Sequence, residues 1–361
     1  MPGLGDATLR RLVQQFASPA AVLAASPGDL IAGGGLSPEL ADAIRTRPDR
    51  ETTKRIEHEL RVIERLRLTV LTCAESAYPA RLLTIPDPPP LLYLSGTLAE
   101  VDRHAVAVVG SRQATPAGRA VTEQLSRELA RAGFTVVSGL ARGVDAAAHR
   151  GAVAADGRTL AVLGCGIDQT YPPEHKKLRE AVEAHGAVLS ECPVGAPPHS
   201  HHFPKRNRII SGLSLGVLVT EAATESGSLI TARLAAEQGR EVFAVPGPIM
   251  SEYSRGPHGL IRQGAKLVER VDDILEELLP QLDEAMRMRL KNRGTAPIPS
   301  ERPLGVNEST ICAQLSFDPI HIDDIVQRTG LSVSDVQAVM LLLELDGRAK
   351  QLPGHLYIRG R

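Results

Sequence analysis

The chain contains no tryptophan, and aromatic residues make up only 3% of its 361 residues. Any ring stacking must therefore fall on very few side chains. Cysteine is equally sparse: Cys73, Cys165, Cys192 and Cys312 stand far apart and form no CxxC pair. That spacing argues against a zinc site and against a disulfide framework, and leaves small, mostly buried thiols. No apolar run approaches the roughly 20 residues that span a bilayer, so no membrane partner is expected. The start, Met1-Pro2-Gly3-Leu4-Gly5-Asp6, has no basic stretch followed by an apolar one. No secretory signal is read there, and a cytoplasmic location is the default expectation. An excess of one charge sign is missing too: 41 Lys and Arg against 42 Asp and Glu give a net charge of −1. No global field draws the chain to a polyanion, so such binding has to come from a local patch.

What is present is the balance of a folded protein, with 43% hydrophobic and 23% charged residues. The length suits two or three domains. Residues 1–67 read as helical: Leu9, Leu12, Val13 and Phe16 recur at helical spacing. After Gly33-Gly34-Gly35, Ser37-Pro38-Glu39 opens a further helix with a capping residue and Pro in the first turn. A charged helix follows over about Arg50 to Arg67, and the Pro-rich passage 86–90 leads into Leu91-Leu92-Tyr93-Leu94.

From about 104 to 280 apolar runs alternate with helical stretches. The runs begin at Ala105, Thr135, Leu160, Val188, Val217 and Val242, and most close on Gly or Ser. Unalternating strands with intervening helices imply an α/β fold: a Rossmann-like parallel sheet with helices on both faces. Residues 68–285 are assigned to it, and 286–305, with Gly294, Pro297, Pro299 and Pro303, to a linker. Residues 306–361 read as a winged helix: a helix over His321 to Gly330, a second capped by Ser332 or Ser334 and running through Leu345, and a two-stranded wing over Arg348 to Ile358 turning at Pro353-Gly354.

Right-handed crossovers put the carboxyl end of every parallel strand on one rim, where ligands bind. Three loops there are rich in small residues. Gly110-Ser111-Arg112 offers close backbone approach, a hydroxyl and a guanidinium fork, which suit phosphate, but it is not GxGxxG. Ser138-Gly139-Leu140-Ala141-Arg142-Gly143 opens a helix carrying Asp145 and His149. Glu221, after Thr220, precedes Ser226-Gly227-Ser228, another loop feeding a helix start. For any one of these loops, turn geometry alone explains the glycine; the three together suggest a phosphate-bearing ligand.

The run Phe203-Pro204-Lys205-Arg206-Asn207-Arg208 combines three cations and a ring with no acid from His199 to Ile210. Cations can follow a phosphate backbone and a ring can stack on a base. The competing reading pairs Arg206 and Arg208 with carboxylates inside the fold and buries Phe203. His199, His201 and His202 lack the spacing and carboxylate partner of a metal site and are read as solvated. Tyr171-Pro172-Pro173 is read as a structural turn. The second helix of the tail carries no Lys or Arg, which disfavours groove binding and suggests a protein contact or a folding role.

Val108-Val109-Gly110-Ser111-Arg112, Ser138 to Asp145, Phe203 to Ile210, Glu225 to Ala232 and Gly239 to Gly247 occur in that order. Together they resemble the signature of the DNA-processing protein A (DprA/Smf) family over about residues 70–280. The first helices resemble that family's SAM-like or helix-hairpin-helix domain, and the tail its winged-helix domain. The resemblance implies a non-enzymatic protein of natural transformation that needs no cofactor or metal. Such proteins dimerise through the Rossmann-like domain, coat incoming single-stranded DNA and load RecA recombinase onto it. It also implies a basic pocket on the rim, lined by Ser111, Arg112, Ser138, Gly139, Arg142, Phe203, Lys205 and Arg206. Gly110, Gly143, Asn207, Arg208, Glu221, Ser226, Gly227 and Ser228 complete the candidate set.

Two rival readings stand beside it. Rossmann-like relatives that cleave nucleotide N-glycosidic bonds carry PGGxGTxxE, a pattern absent from the stretch Glu225 to Ala232, where Glu221 is the only obvious acid nearby. The other is a purely structural adaptor whose tail binds partners.

Overall fold

The computed structural model describes residues 4–46, 48–293 and 304–360. The first helices are α1 (Asp6–Phe16), α2 (Pro19–Ala24), α3 (Pro27–Ala32), α4 (Pro38–Arg45) and α5 (Arg50–Leu66). Side-chain caps open four of them: Ser18, Ser26, Ser37 and Asp49 each accept from a backbone amide, and Pro begins α2, α3 and α4. Leu12, Val22, Leu30, Leu36, Ala41 and Ile44 form a small core among the first four.

The sheet region runs β1 (Thr69–Thr72), α6 (Ala80–Leu83), β2 (Leu91–Gly96), β3 (Ala105–Val109), α7 (Pro116–Ala132), β4 (Thr135–Ser138), α8 (Val144–Ala154) and β5 (Thr159–Leu163). It continues with α9 (Lys176–His185), β6 (Gly186–Ser190), α10 (His202–Gly212), β7 (Gly216–Val219), α11 (Gly227–Glu237) and β8 (Glu241–Ala244). It closes with α12 (Arg255–Arg262), β9 (Lys266–Leu267), α13 (Val271–Leu278) and α14 (Glu284–Arg293). Helix α14 occupies the start of the expected linker, whose residues 294–303 lie outside those described.

The nine strands lie in the order β1-β2-β6-β5-β4-β3-β7-β8-β9. Strands β3 to β9 are parallel, but β2 pairs β6 antiparallel and β1 pairs β2 antiparallel. The parallel sheet expected from the runs between 104 and 280 holds over β3 to β9 and gains an antiparallel edge: β1 and β2 cover the border that β6 would otherwise leave unpaired. Both faces are buried, which explains the unalternating runs. Along β3, Ala105, Ala107 and Val109 join the core beneath α10 and α11, and Val106 and Val108 join that beneath α7 and α8. Each such valine removed from water contributes about 1.5–3 kcal/mol.

The tail comprises α15 (Val306–Cys312), β10 (Ile320–His321), α16 (Ile322–Thr329), α17 (Val333–Leu345), β11 (Ala349–Leu352) and β12 (Leu356–Arg359). Gly330, at φ 68°, closes α16, and Ser332 caps α17. The wing is three-stranded rather than two-stranded, in the order β10-β12-β11. Among the described residues no helix is long and apolar enough to cross a membrane.

Candidate nucleic-acid interface

From β3 the chain steps outward through β4, β5 and β6, then returns to the other side of β3 with β7. The strand order therefore reverses between β3 and β7, and the loops leaving these two strands diverge. That divergence opens a crevice at the carboxyl rim. A cleft of ≈ 720 Å³ lies there. One wall is Gly110, Ser111, Arg112 and Gln113 after β3; the opposite wall is Ala223 to Ser228, leading into α11. The first turn of α10 contributes Phe203, Pro204, Arg206 and Asn207, and Tyr253 and Glu252 stand at the far side.

The glycines are needed where backbones meet. A Cβ on Gly110 would come within 2.6 Å of the Glu221 carbonyl, which accepts from the Ser111 amide at 2.6 Å. Gly143 has φ 73° and lies against the Ser111–Arg112 backbone, so the β4–α8 loop is seated on the β3–α7 loop. In the same loop the buried Leu140 adopts φ 56°, a strained conformation for a residue with a side chain.

The cations divide into two groups. Arg112 reaches over the Phe203 ring, its Cζ 5.1 Å from the centroid. Arg142 is exposed, and its Nε donates to Glu174 at 2.5 Å. Arg206 is 4% exposed; its Nη1 donates to the carbonyls of Gly139, at 2.9 Å, and Val162. Burial lowers its pKa, while the charge of Asp145 opposes that shift. Arg208 points the other way, chelating the Glu191 carboxylate at 2.6 and 3.1 Å and reaching Asp87 at 3.2 Å. Lys205 Nζ lies 3.6 Å from the same Glu191.

The candidate residues therefore separate. Gly110, Ser111, Arg112, Phe203, Arg206, Asn207, Ser226, Gly227 and Ser228 share the cleft. Gly139 and Arg142 line a small adjoining slot with Arg112 and Phe203. Five candidates line neither cavity. Ser138 is fully buried and its Oγ donates to the Val108 carbonyl at 2.7 Å. Arg208 and Lys205 answer Glu191 on the opposite side of α10. Glu221 accepts from the Thr115 amide and hydroxyl at 2.8 and 2.7 Å and so anchors the start of α7. Gly143 supports the loop without lining either cavity.

Sequence reasoning passed over Asp145 and Tyr253, which also line the cleft. Asp145 lies in the first turn of α8; burial raises its pKa, and the Arg206 and Arg112 charges and a hydrogen bond from the Ala141 amide oppose that. Its place beside the loop glycines was the available signal; nothing local marks Tyr253. His199 stacks on His201, and both meet the His202 ring edge-on, with ring centroids 4.4–5.5 Å apart. Among the described residues no cluster of His, Cys, Asp or Glu is arranged to hold a metal ion.

The model of the DNA recombination-mediator protein A family matches residues 69–279. The chain belongs to that family. The DprA winged-helix domain matches residues 295–355. Protein Smf of Escherichia coli is 40% identical over 312 residues, 85% of this chain and 82% of that protein. The DNA processing protein DprA of Bacillus subtilis is 43% identical over 58% of this chain and 71% of its own length. Among solved structures, DNA processing protein A of Streptococcus pneumoniae aligns with a TM-score of 0.67 at 36% identity, covering 76% of this chain and 94% of that one. DNA processing protein A of Helicobacter pylori, whose structure is described as a single-stranded DNA binding mode, aligns with a TM-score of 0.54 at 30% identity. That alignment covers 60% of this chain and 98% of that one. The chain thus carries the family's sheet region and its winged helix together.

Proposed function

We propose that this protein binds single-stranded DNA without sequence preference in the cleft between the β3 and β7 loops. Bound in this way, it protects incoming strands in the cytoplasm and loads RecA onto them during transformation. The observation that carries the reading is the pairing of Arg112 with the partly exposed Phe203 at the cleft wall, next to the start of α11. A guanidinium and amides answer phosphate, and a ring answers an unstacked base. The strand-binding set is accordingly Gly110, Ser111, Arg112, Gly139, Arg142, Phe203, Asn207, Ser226, Gly227 and Ser228, with Arg206 holding the Gly139 loop from within. The Helicobacter pylori protein supports the ligand class. The protein acts as a homodimer through the sheet domain, and its units are 1–67, 68–285 and 306–361, joined by 286–305.

No catalytic role is included. Glu221, the acid on which a glycosidic-bond hydrolase would depend, is engaged by Thr115 at the start of α7. Release of base from nucleoside monophosphates by the purified protein would reverse this part of the reading. The direct test is an anisotropy titration of labelled strands, single against duplex, over a range of salt. Binding should favour the single strand and weaken with salt; equal affinity for duplex would overturn it. RecA filament growth on single strands should quicken when the protein is added.

A further inference from the structure

We propose that Arg81 and Arg240 form a separate oxyanion site, at the amino end of the sheet, that takes the phosphate group of a phosphomonoester or inorganic phosphate itself. The inference does not depend on the strand-binding reading above.

Arg240 lies in the turn between α11 and β8. Its amide donates to the Ala235 carbonyl at 2.8 Å, and the next residue, Glu241, pairs with Gly216 at the starts of β8 and β7. That edge of the sheet is opposite the cleft. From there Nη2 of Arg240 donates to the Arg81 carbonyl at 3.0 Å and to the Thr84 hydroxyl at 2.7 Å, so the side chain reaches α6. Both arginines are half-buried, and each Nε is buried without a hydrogen-bond partner. Among the described residues no carboxylate pairs with either guanidinium. Burial lowers the pKa of Arg81 and the Arg240 charge lowers it further; burial lowers that of Arg240 as well. Other sheltered arginines do have an acid: Arg158 lies 2.7 Å from Asp102, Arg179 2.9 Å from Glu183 and Arg208 2.6 Å from Glu191. Two cations desolvated together with no acid between them cost free energy that a bound anion would return.

Charge selects the ligand. A carboxylate or a phosphodiester carries one negative charge and leaves one guanidinium unanswered. A phosphomonoester carries about −1.5 to −2 near neutral pH and has three acceptor oxygens. Those oxygens can accept from both Nε–H groups and from the unengaged fork of Arg81. Thr84 beside the pair is exposed, so the site is open to solvent. Two sources share this chemistry, a small phosphate compound and the phosphorylated end of a strand.

The test titrates inorganic phosphate into the full chain by calorimetry, against chloride at constant ionic strength. One saturable site is expected. Arg81→Met should weaken it about tenfold, while Arg112→Ala in the cleft changes it less than about twofold. Arg240 also ties α6 to the sheet, so the test rests on Arg81, whose side chain fixes no neighbour. In urea and chloride, Arg81→Met should be at least as stable as the parent; added phosphate should raise the parent's unfolding midpoint and leave the variant's unchanged. No saturable binding by the parent, undiminished binding by Arg81→Met, or a variant less stable than the parent in chloride would overturn the site. Oligothymidylate with a terminal phosphate, set against the same strand with a terminal hydroxyl, separates the sources. Displacement of inorganic phosphate by the phosphorylated strand alone assigns the site to strand ends, and displacement by neither assigns it to small phosphate compounds. Equal displacement by both would overturn the preference for a monoester.

Discussion

In the loop after β3, Arg112 lies on the wall of an open cleft against an aromatic face. A short distance away on α10, Arg206 and Arg208 are 4% and 8% exposed and committed to carbonyls and carboxylates. The run from Phe203 to Arg208 is the most basic short stretch near the rim, yet most of its charge is internal. A helix presents successive residues in different directions, so three cations within four positions cannot all face one ligand. The single arginine of a glycine loop is the better placed to answer a phosphate, because the loop stands at the point where the strand order reverses.

Four outcomes would break or sharpen that contrast. The largest belongs to the buried pair. Arg208→Ala should destabilise the protein by about 3 kcal/mol in denaturant unfolding, because the buried Glu191 loses its bidentate partner and, among the described residues, keeps only Lys205 at 3.6 Å. A change below 1 kcal/mol would mean Arg208 is as free as Arg112.

The next concerns His149, which is fully buried, hydrogen-bonds Thr159 at 2.7 Å and leaves Nε2 without a partner. Burial lowers its pKa to about 3. The unfolded chain then binds a proton below pH 6.5 that the folded chain refuses, so stability falls as pH drops from about 6.5 towards 3. Between pH 7.5 and 5 this group should cost about 2 kcal/mol. His149→Gln should flatten that part of the unfolding profile; an unchanged slope would remove the assignment.

Arg112→Ala should shift stability by no more than about 0.5 kcal/mol but weaken single-strand binding roughly fivefold at low salt. The slope of log affinity against log salt should shrink by about 0.7, the share of one phosphate on a single strand. An unchanged slope in anisotropy titrations would take Arg112 out of the interface. The smallest effect is expected in the winged helix. Its helix α17 has no Lys or Arg, and Lys350→Ala in the wing should alter single-strand affinity less than twofold. A larger loss by the same titration would extend the interface to the tail.

Much of the architecture was legible from local pattern. Val106 to Val109 and Leu160 to Leu163 read as strands buried on both faces, and Ser37-Pro38, Gly330 and Ser332 punctuate helices as their chemistry requires. The antiparallel edge was not legible, since β1 pairs with a strand some twenty residues away and β2 with one about ninety away. Gly110-Ser111-Arg112 and Ser226-Gly227-Ser228 were legible as rim loops, and the structure brings them to one cleft, because small residues recur where a strand turns into a helix start. Glu221 was misleading: an acid directly after a strand reads as a site residue, whereas Thr115, more than a hundred positions earlier, takes its carboxylate.

The order of apolar runs, caps and glycines along the chain was enough to specify an α/β sheet, its neighbouring helical units and the rim at which a ligand would sit. Those features follow from backbone geometry and hydrophobic period, which act over a few residues at a time. Which cation faces solvent, which acid is neutralised and which two rings meet were decided by tertiary packing alone. Direction and desolvation belong to side chains brought together from distant positions, and their energies exist only once those partners are in place.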